Sequence, residues 1–128
     1  MRILGIDYGT KRIGLALSDE AGQFALPHSV IKNSKTALEE TVTIAETYQV
    51  TDIVMGESRD YKGEPNAIFA EANSFKEKLH SRGFTVHLEP EFMTSHQADR
   101  LHHELGGDGS DKDASAAAII LQSYLDRK

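Results

Sequence analysis

The stretch MRILGIDYGTKRIGLALSDE constrains the fold more than any other part of the chain. Ile3, Leu4 and Ile6 form one apolar run and Ile13, Leu15, Ala16 and Leu17 a second, with Gly9, Lys11 and Arg12 between them. That pattern reads as two strands joined by a tight turn. Asp7 then stands at the end of the first strand, and a turn alone does not explain an acid there.

Alternation and β-branched content predict strands at 2–7, 12–18 and 22–26, with turns near Gly9 and Gly22, forming an antiparallel meander. In KTALEETVTIAETYQV, residues Leu38, Val42, Ala45 and Tyr48 recur at helical spacing, and TDIVMGES follows as a short buried strand ending near Gly56. A second helix is predicted from Asn66 to Arg82, with Ile68, Ala72, Phe75 and Leu79 on one stripe and Gly83 as its stop. FTVHLEP reads as a fifth strand. Thr94 or Ser95 caps a third helix carrying Ala98, Leu101 and Leu105, which ends at GGDGSD. A last helix from Asp111 packs Ala117, Leu121 and Tyr124. The order βββαβαβαα implies an α/β layered sheet in which the last two strands, each reached through a helix, run parallel to the first.

The 128 residues, 39% of them apolar, suit a single domain spanning 1–128. The absence of cysteine excludes disulfides, zinc-thiolate sites and a thiol nucleophile, and is compatible with a reducing compartment such as the cytoplasm. No run approaches the ~20 apolar residues of a membrane span, and no export signal is expected. The net charge of −6 argues against broad adhesion to a polyanion, so any nucleic-acid contact must be local.

Ligands of such sheets gather beyond the carboxyl ends of the parallel strands. Asp7, the segment Gly56 to Asp60 and the segment Glu89 to Thr94 all fall at that edge, and Asp113 enters the first turn of the last helix. Three acids from distant parts of the chain would meet there, with Glu89 or Glu91 as the second. Hard cations prefer oxygen ligands, and a pair of them about 4 Å apart stabilises both the attacking and the leaving oxygen of a phosphoryl displacement. Each acid also has a plainer reading. Asp7 can bond its own turn, Asp113 can complement a helix N-terminus, and Glu89 and Glu91 can be solvated loop residues. DYGTKRIG itself fits D-x-G-T-x-x-x-G, a hairpin whose glycine lets the backbone approach a phosphate while Thr10 or Lys11 meets an oxyanion. Sugar kinases and actin-like ATPases use a similar loop, but they place two such domains around a nucleotide.

Taken together, ILGIDYGTKRIGLALSD, the IVMG strand followed by Gly63, and the ending DKDASAAAIILQSYLD resemble the YqgF-type proteins. These are Holliday-junction-resolvase-like members of the ribonuclease H superfamily, regarded as pre-16S ribosomal RNA nucleases. The resemblance covers essentially the whole chain and implies a ribonuclease H-like fold, a five-stranded mixed sheet flanked by helices. By position it implies that Asp7, Glu91 and Asp113 are catalytic and hold Mg²⁺ or Mn²⁺. Gly9, Thr10, Lys11, Arg12, Thr94 and Lys112, on or beside the loops at the acidic edge, are the expected substrate contacts. PEFMTS departs from the family's usual Asp-Glu-Arg pattern, since Pro90 and Phe92 flank the matching Glu91. Glu57 and Ser58 replace an apolar residue and proline, which makes Glu57 a further acid near the site.

The expected activity is metal-dependent phosphodiester hydrolysis in maturation of the 5′ end of pre-16S ribosomal RNA, with ribosomal subunit precursors as partners. Structured DNA is the alternative substrate, as a four-way-junction endonuclease acting as a symmetric homodimer. A noncatalytic nucleic-acid or ribosome-binding module is the third reading, and the protein is expected as a monomer or homodimer. His96, His102 and His103 lack the close spacing of a metal set and read as solvated helix positions. Arg59, Lys62 and Arg100 are further cations beside the acidic edge.

Overall fold

A computed structural model of the chain describes residues 2–57, 67–90 and 112–127. Its elements are β1 (Ile3–Tyr8), β2 (Arg12–Ser18), β3 (Ala25–Lys32), α1 (Ala37–Thr47), β4 (Asp52–Glu57), α2 (Ala67–Ser81), β5 (Thr85–Pro90) and α3 (Lys112–Arg127). The expected third helix, with its capping Thr94 or Ser95, lies outside the described residues, as do Arg59, Lys62, Arg100 and the three histidines His96, His102 and His103.

One five-stranded sheet has the order β3-β2-β1-β4-β5. β1, β2 and β3 pair antiparallel, and β4 and β5 run parallel to β1, as the order of elements required. Successive side chains of a strand point to opposite faces, so each central strand feeds two cores. Leu4, Ile6, Ile13, Leu15, Ile53 and Met55 pack on one face with Val42 and Ala45 of α1 and Phe75 and Leu79 of α2. Ile3, Ala16 and Val54 pack on the other with Ala117, Ile120, Leu121 and Leu125 of α3. The helical spacings of Val42, Ala45, Ala72, Phe75 and Leu79 therefore do mark core stripes. Tyr48 does not: it caps the C-terminus of α1 and is 37% exposed, with the Arg2 guanidinium 5.7 Å from its ring centroid.

The third strand differs most from expectation. It begins at Ala25 and runs to Lys32, where 22–26 was predicted. Residues 19–24 instead form the turn, with the Asp19 carboxylate accepting from the Gln23 and Phe24 amides at 2.8 and 3.1 Å and Gly22 at φ 71°. Pro27 obscures the strand pattern. It is tolerated because β3 is an edge strand and its register with β2 shifts between Leu15 and Ala16. Among the described residues no helix is long and apolar enough to cross a membrane.

α3 lies unusually close to the sheet. A Cβ built on Gly5 would stand 2.8 Å from Leu121 Cβ and 3.0 Å from the Ala117 carbonyl oxygen, so only hydrogen fits between strand and helix there. Polar ties hold the helix on both sides. Gln122 accepts from the Ala25 amide at 2.8 Å and donates to the Gln23 carbonyl at 3.0 Å. On the opposite edge Ser123 and Arg127 both donate to Glu89 of β5.

Candidate active site

Asp7 follows Ile3 and Gly5 in alternation, which puts it on the α3 face at the carboxyl end of β1. Its neighbours across the sheet carry no side chains. Gly14 is its direct partner on β2, and Gly56, one step past the Ile6–Met55 pair, stands level with it on β4. Asp7 is half-buried, while both glycines are buried. Asp7 thus has only backbone directly beside it on the two neighbouring strands. Tyr8, of opposite parity, turns to the other face and packs on Phe75 with ring centroids 5.2 Å apart.

The same row continues to Glu89, which pairs with Gly56 on β5. Glu89 is 2% exposed. Its carboxylate accepts from Ser123 Oγ at 2.9 Å and from the Arg127 guanidinium, and the Arg127 ion pair offsets the cost of burying the charge. Glu89 is therefore committed to holding β5 against the last turns of α3. Of the two glutamates left open by the sequence, this one has a structural occupation, while Glu91 lies outside the described residues, as does Thr94. β4 ends at Glu57.

Lys112 and Asp113 form the start of α3. Asp113 precedes by one helical turn the Ala117 whose carbonyl approaches Gly5, two residues before Asp7 on β1. The last helix therefore brings its first turn into the layer that covers the Asp7 face. Among the described residues no three His, Asp or Glu side chains gather into a metal-binding group.

Gly9, Thr10 and Lys11 make the tip between β1 and β2, and Arg12 opens β2. Thr10, Lys11 and Arg12 are exposed. At Gly9 a Cβ would lie 2.5 Å from the Arg12 carbonyl oxygen, so the tight return of the chain requires glycine. The signal for this was present in the D-x-G-T-x-x-x-G spacing, whose first glycine is Gly9. That Gly14 and Gly56 stand beside Asp7 was not legible, because strand register across the sheet decides it.

A family model, RuvX, described as Holliday junction resolvase, matches residues 1–127. The chain is 40% identical over 136 aligned residues to a protein of Ruminiclostridium cellulolyticum named "Putative pre-16S rRNA nuclease", covering 99% of this chain and 95% of the relative. A protein of the same name from Opitutus terrae is 36% identical, with 100% and 93% covered. In fold, the chain is similar to Thermus thermophilus RuvC in complex with a Holliday junction substrate, with a TM-score of 0.60 at 17% identity over 98% of this chain and 93% of that one. It is also similar to the fowlpox virus Holliday junction resolvase, with a TM-score of 0.66 at 12% identity and both chains fully covered. The mixed sheet with its helices is thus the ribonuclease H-like architecture expected from the resemblance, shared with the resolvases. Matched over nearly its whole length by the family model and by relatives of similar size, the chain belongs to the RuvX family.

Proposed function

We propose that this chain, working as one domain over residues 1–128, is a divalent-metal-dependent nuclease that hydrolyses phosphodiester bonds at the 5′ end of pre-16S ribosomal RNA. The observation that carries the proposal is the placing of Asp7 at the carboxyl edge of the sheet, between Gly14 and Gly56. Curated relatives of the same length, named for pre-16S rRNA, support the choice of substrate.

Carboxylate oxygens at a strand end, with bare glycines beside them, suit a hard cation such as Mg²⁺ or Mn²⁺. Asp7, Glu91 and Asp113 are the residues to hold it. The engagement of Glu89 by Ser123 and Arg127 favours Glu91 as the third acid. When bound, the metal supplies electrostatic stabilisation of the attacking and leaving oxygens. The protein's own part is positional. Asp7 is fixed by its strand, Asp113 by the helix docked at Gly5, and Gly9, Thr10, Lys11, Arg12, Thr94 and Lys112 orient the phosphates that flank the scissile one. The partners on this reading are pre-16S rRNA and ribosomal subunit precursors, met in the cytoplasm.

End-labelled structured RNA and a DNA four-way junction, each incubated with wild type and Asp7→Asn in Mg²⁺, Mn²⁺ or EDTA, test the proposal. Cleavage of the RNA that requires metal and falls at least about a hundredfold in Asp7→Asn is expected, the loss of several kcal/mol of charge stabilisation. A wild type that binds RNA without cutting it in either metal would make the chain a binding module. The family's description favours a second reading, cleavage of four-way DNA junctions. That reaction needs two sites on opposed strands and so a symmetric dimer. A monomer in sedimentation that cuts RNA and leaves the junction whole would remove it.

A further inference from the structure

Asn33 follows the edge strand β3, 22 positions after Lys11 in the chain, yet it makes two hydrogen bonds to the β1–β2 tip. Its side-chain Nδ2 donates to the Gly9 carbonyl at 2.8 Å, and its backbone amide donates to the Lys11 carbonyl at 3.0 Å. The tip has three residues, Gly9, Thr10 and Lys11, and Asn33 therefore takes two of their three carbonyl oxygens. Gly9 has little other freedom, since even a Cβ there would collide with the Arg12 carbonyl.

This bonding has an electrostatic consequence. A carbonyl oxygen facing a phosphate repels it, and a carbonyl held by Asn33 faces elsewhere. No peptide bond in the described residues is cis. In a planar trans peptide the N–H points opposite to the C=O, so the Thr10 amide, which shares its peptide with the Gly9 carbonyl, is directed away from Asn33. An amide presented outward from a tight loop suits an anion. Thr10 and Lys11 are both exposed beside that amide.

We propose that Asn33 is a positioning residue that locks the Gly9–Lys11 tip, through its side-chain bond to the Gly9 carbonyl, in the shape that receives a phosphodiester group of the substrate. The inference rests on the nuclease reading above, and it adds a residue from a strand and turn remote in sequence from every acid of the site. Loops that bind by preorganised backbone lose affinity when their supports are removed, even where nothing touching the ligand has changed.

The test compares wild type, Asn33→Ala, Asn33→Leu, Lys11→Ala and the double variant Lys11→Ala/Asn33→Ala, using a labelled RNA stem-loop for binding and cleavage, with thermal melting alongside. Asn33→Leu keeps the approximate size of the side chain and removes its donor without adding charge, so it serves if the alanine variant fails to fold. Each Asn33 variant is expected to raise KM and the RNA dissociation constant about three- to tenfold, the equivalent of one hydrogen bond, with kcat little changed. The salt dependence of binding should flatten by about one charge in Lys11→Ala and in both Asn33 variants. In the double variant the two effects should fall short of adding, because both act through the same phosphate contact. Unchanged KM and salt slope in both Asn33 variants, with Lys11→Ala weakened, would overturn the lock while leaving the nuclease reading intact. Metal-dependent cleavage that none of the tip variants alters would also overturn it and place the phosphate contacts elsewhere. A wild type that neither binds nor cuts RNA would overturn both.

Discussion

At the scale of single residues, three glycines and one glutamate do as much to shape the site as the acids do. Gly5 admits α3 to within contact of the strand, and Gly14 and Gly56 leave Asp7 with no side chain on either of its cross-strand partners. Gly5→Ala must push Leu121 or the Ala117 backbone aside, an overpacking cost of about 1–3 kcal/mol read as a lower urea midpoint. Because α3 carries Asp113, the same substitution is expected to reduce cleavage more than Asp7-independent RNA binding. Glu89 makes a second prediction. Glu89→Ala leaves the Ser123 hydroxyl and the mostly exposed Arg127 guanidinium without their partner and should cost about 1–3 kcal/mol. Glu89→Gln should recover part of this through the Ser123 bond. A glutamate acting as a metal ligand would behave differently, losing metal-dependent activity in both variants without a matching loss of stability.

At the scale of elements, the β2–β3 turn is the part whose stability should track acid pH. The Asp19 carboxyl is held below the usual aspartate range by hydrogen bonds from the Gln23 and Phe24 amides. A group with a depressed folded-state value contributes stability that is present above the ordinary carboxylate range and is lost as pH falls through the folded value. The Glu39 carboxyl, lowered by its hydrogen bond from Arg82, acts in the same direction, tying α1 to the residue after α2. Glu39 is exposed and Asp19 partly so, and the effect is small and screened by salt. Melting temperature measured from neutral pH downward should fall less steeply in Asp19→Asn than in wild type. Equal slopes would show that the turn bonds carry no charge-dependent stability. The same turn explains why the third strand was misplaced by the sequence pattern. A turn held by one side chain accepting two amides leaves no periodic trace, and Pro27 with the register shift breaks the alternation that follows.

At the scale of the whole molecule, the sheet order puts ends of β1, β4 and β5 on one edge, and α3 crosses the face they share. If divalent metal binds at the acids of that edge, it binds the folded state selectively. Mg²⁺ or Mn²⁺ at a hundred times its dissociation constant is then expected to stabilise wild type by about 2.7 kcal/mol, and Asp7→Asn far less. Thermal melting with and without EDTA reads this without any substrate. Equal stabilisation of both proteins would place the ion away from Asp7. With a net charge of −6, the chain should hold nucleic acid only through local contacts, so its affinity for RNA should fall with salt over few charges.

The succession of the described strands and helices, the two core stripes of α1 and α2, and the placing of Asp7 at a strand end and Asp113 in a first helical turn were determined by the sequence alone. Each depends on spacing within one element, and the apolar period of an element is written in consecutive residues. The flanking of Asp7 by two glycines, the occupation of Glu89 by α3 and the bond from Asn33 to Gly9 were decided by tertiary structure. Each joins positions 7 or more residues apart, 34 or more for Glu89 and 24 for Asn33. Strand register, set by the summed packing of two cores, chooses those partners, and no local pattern encodes it.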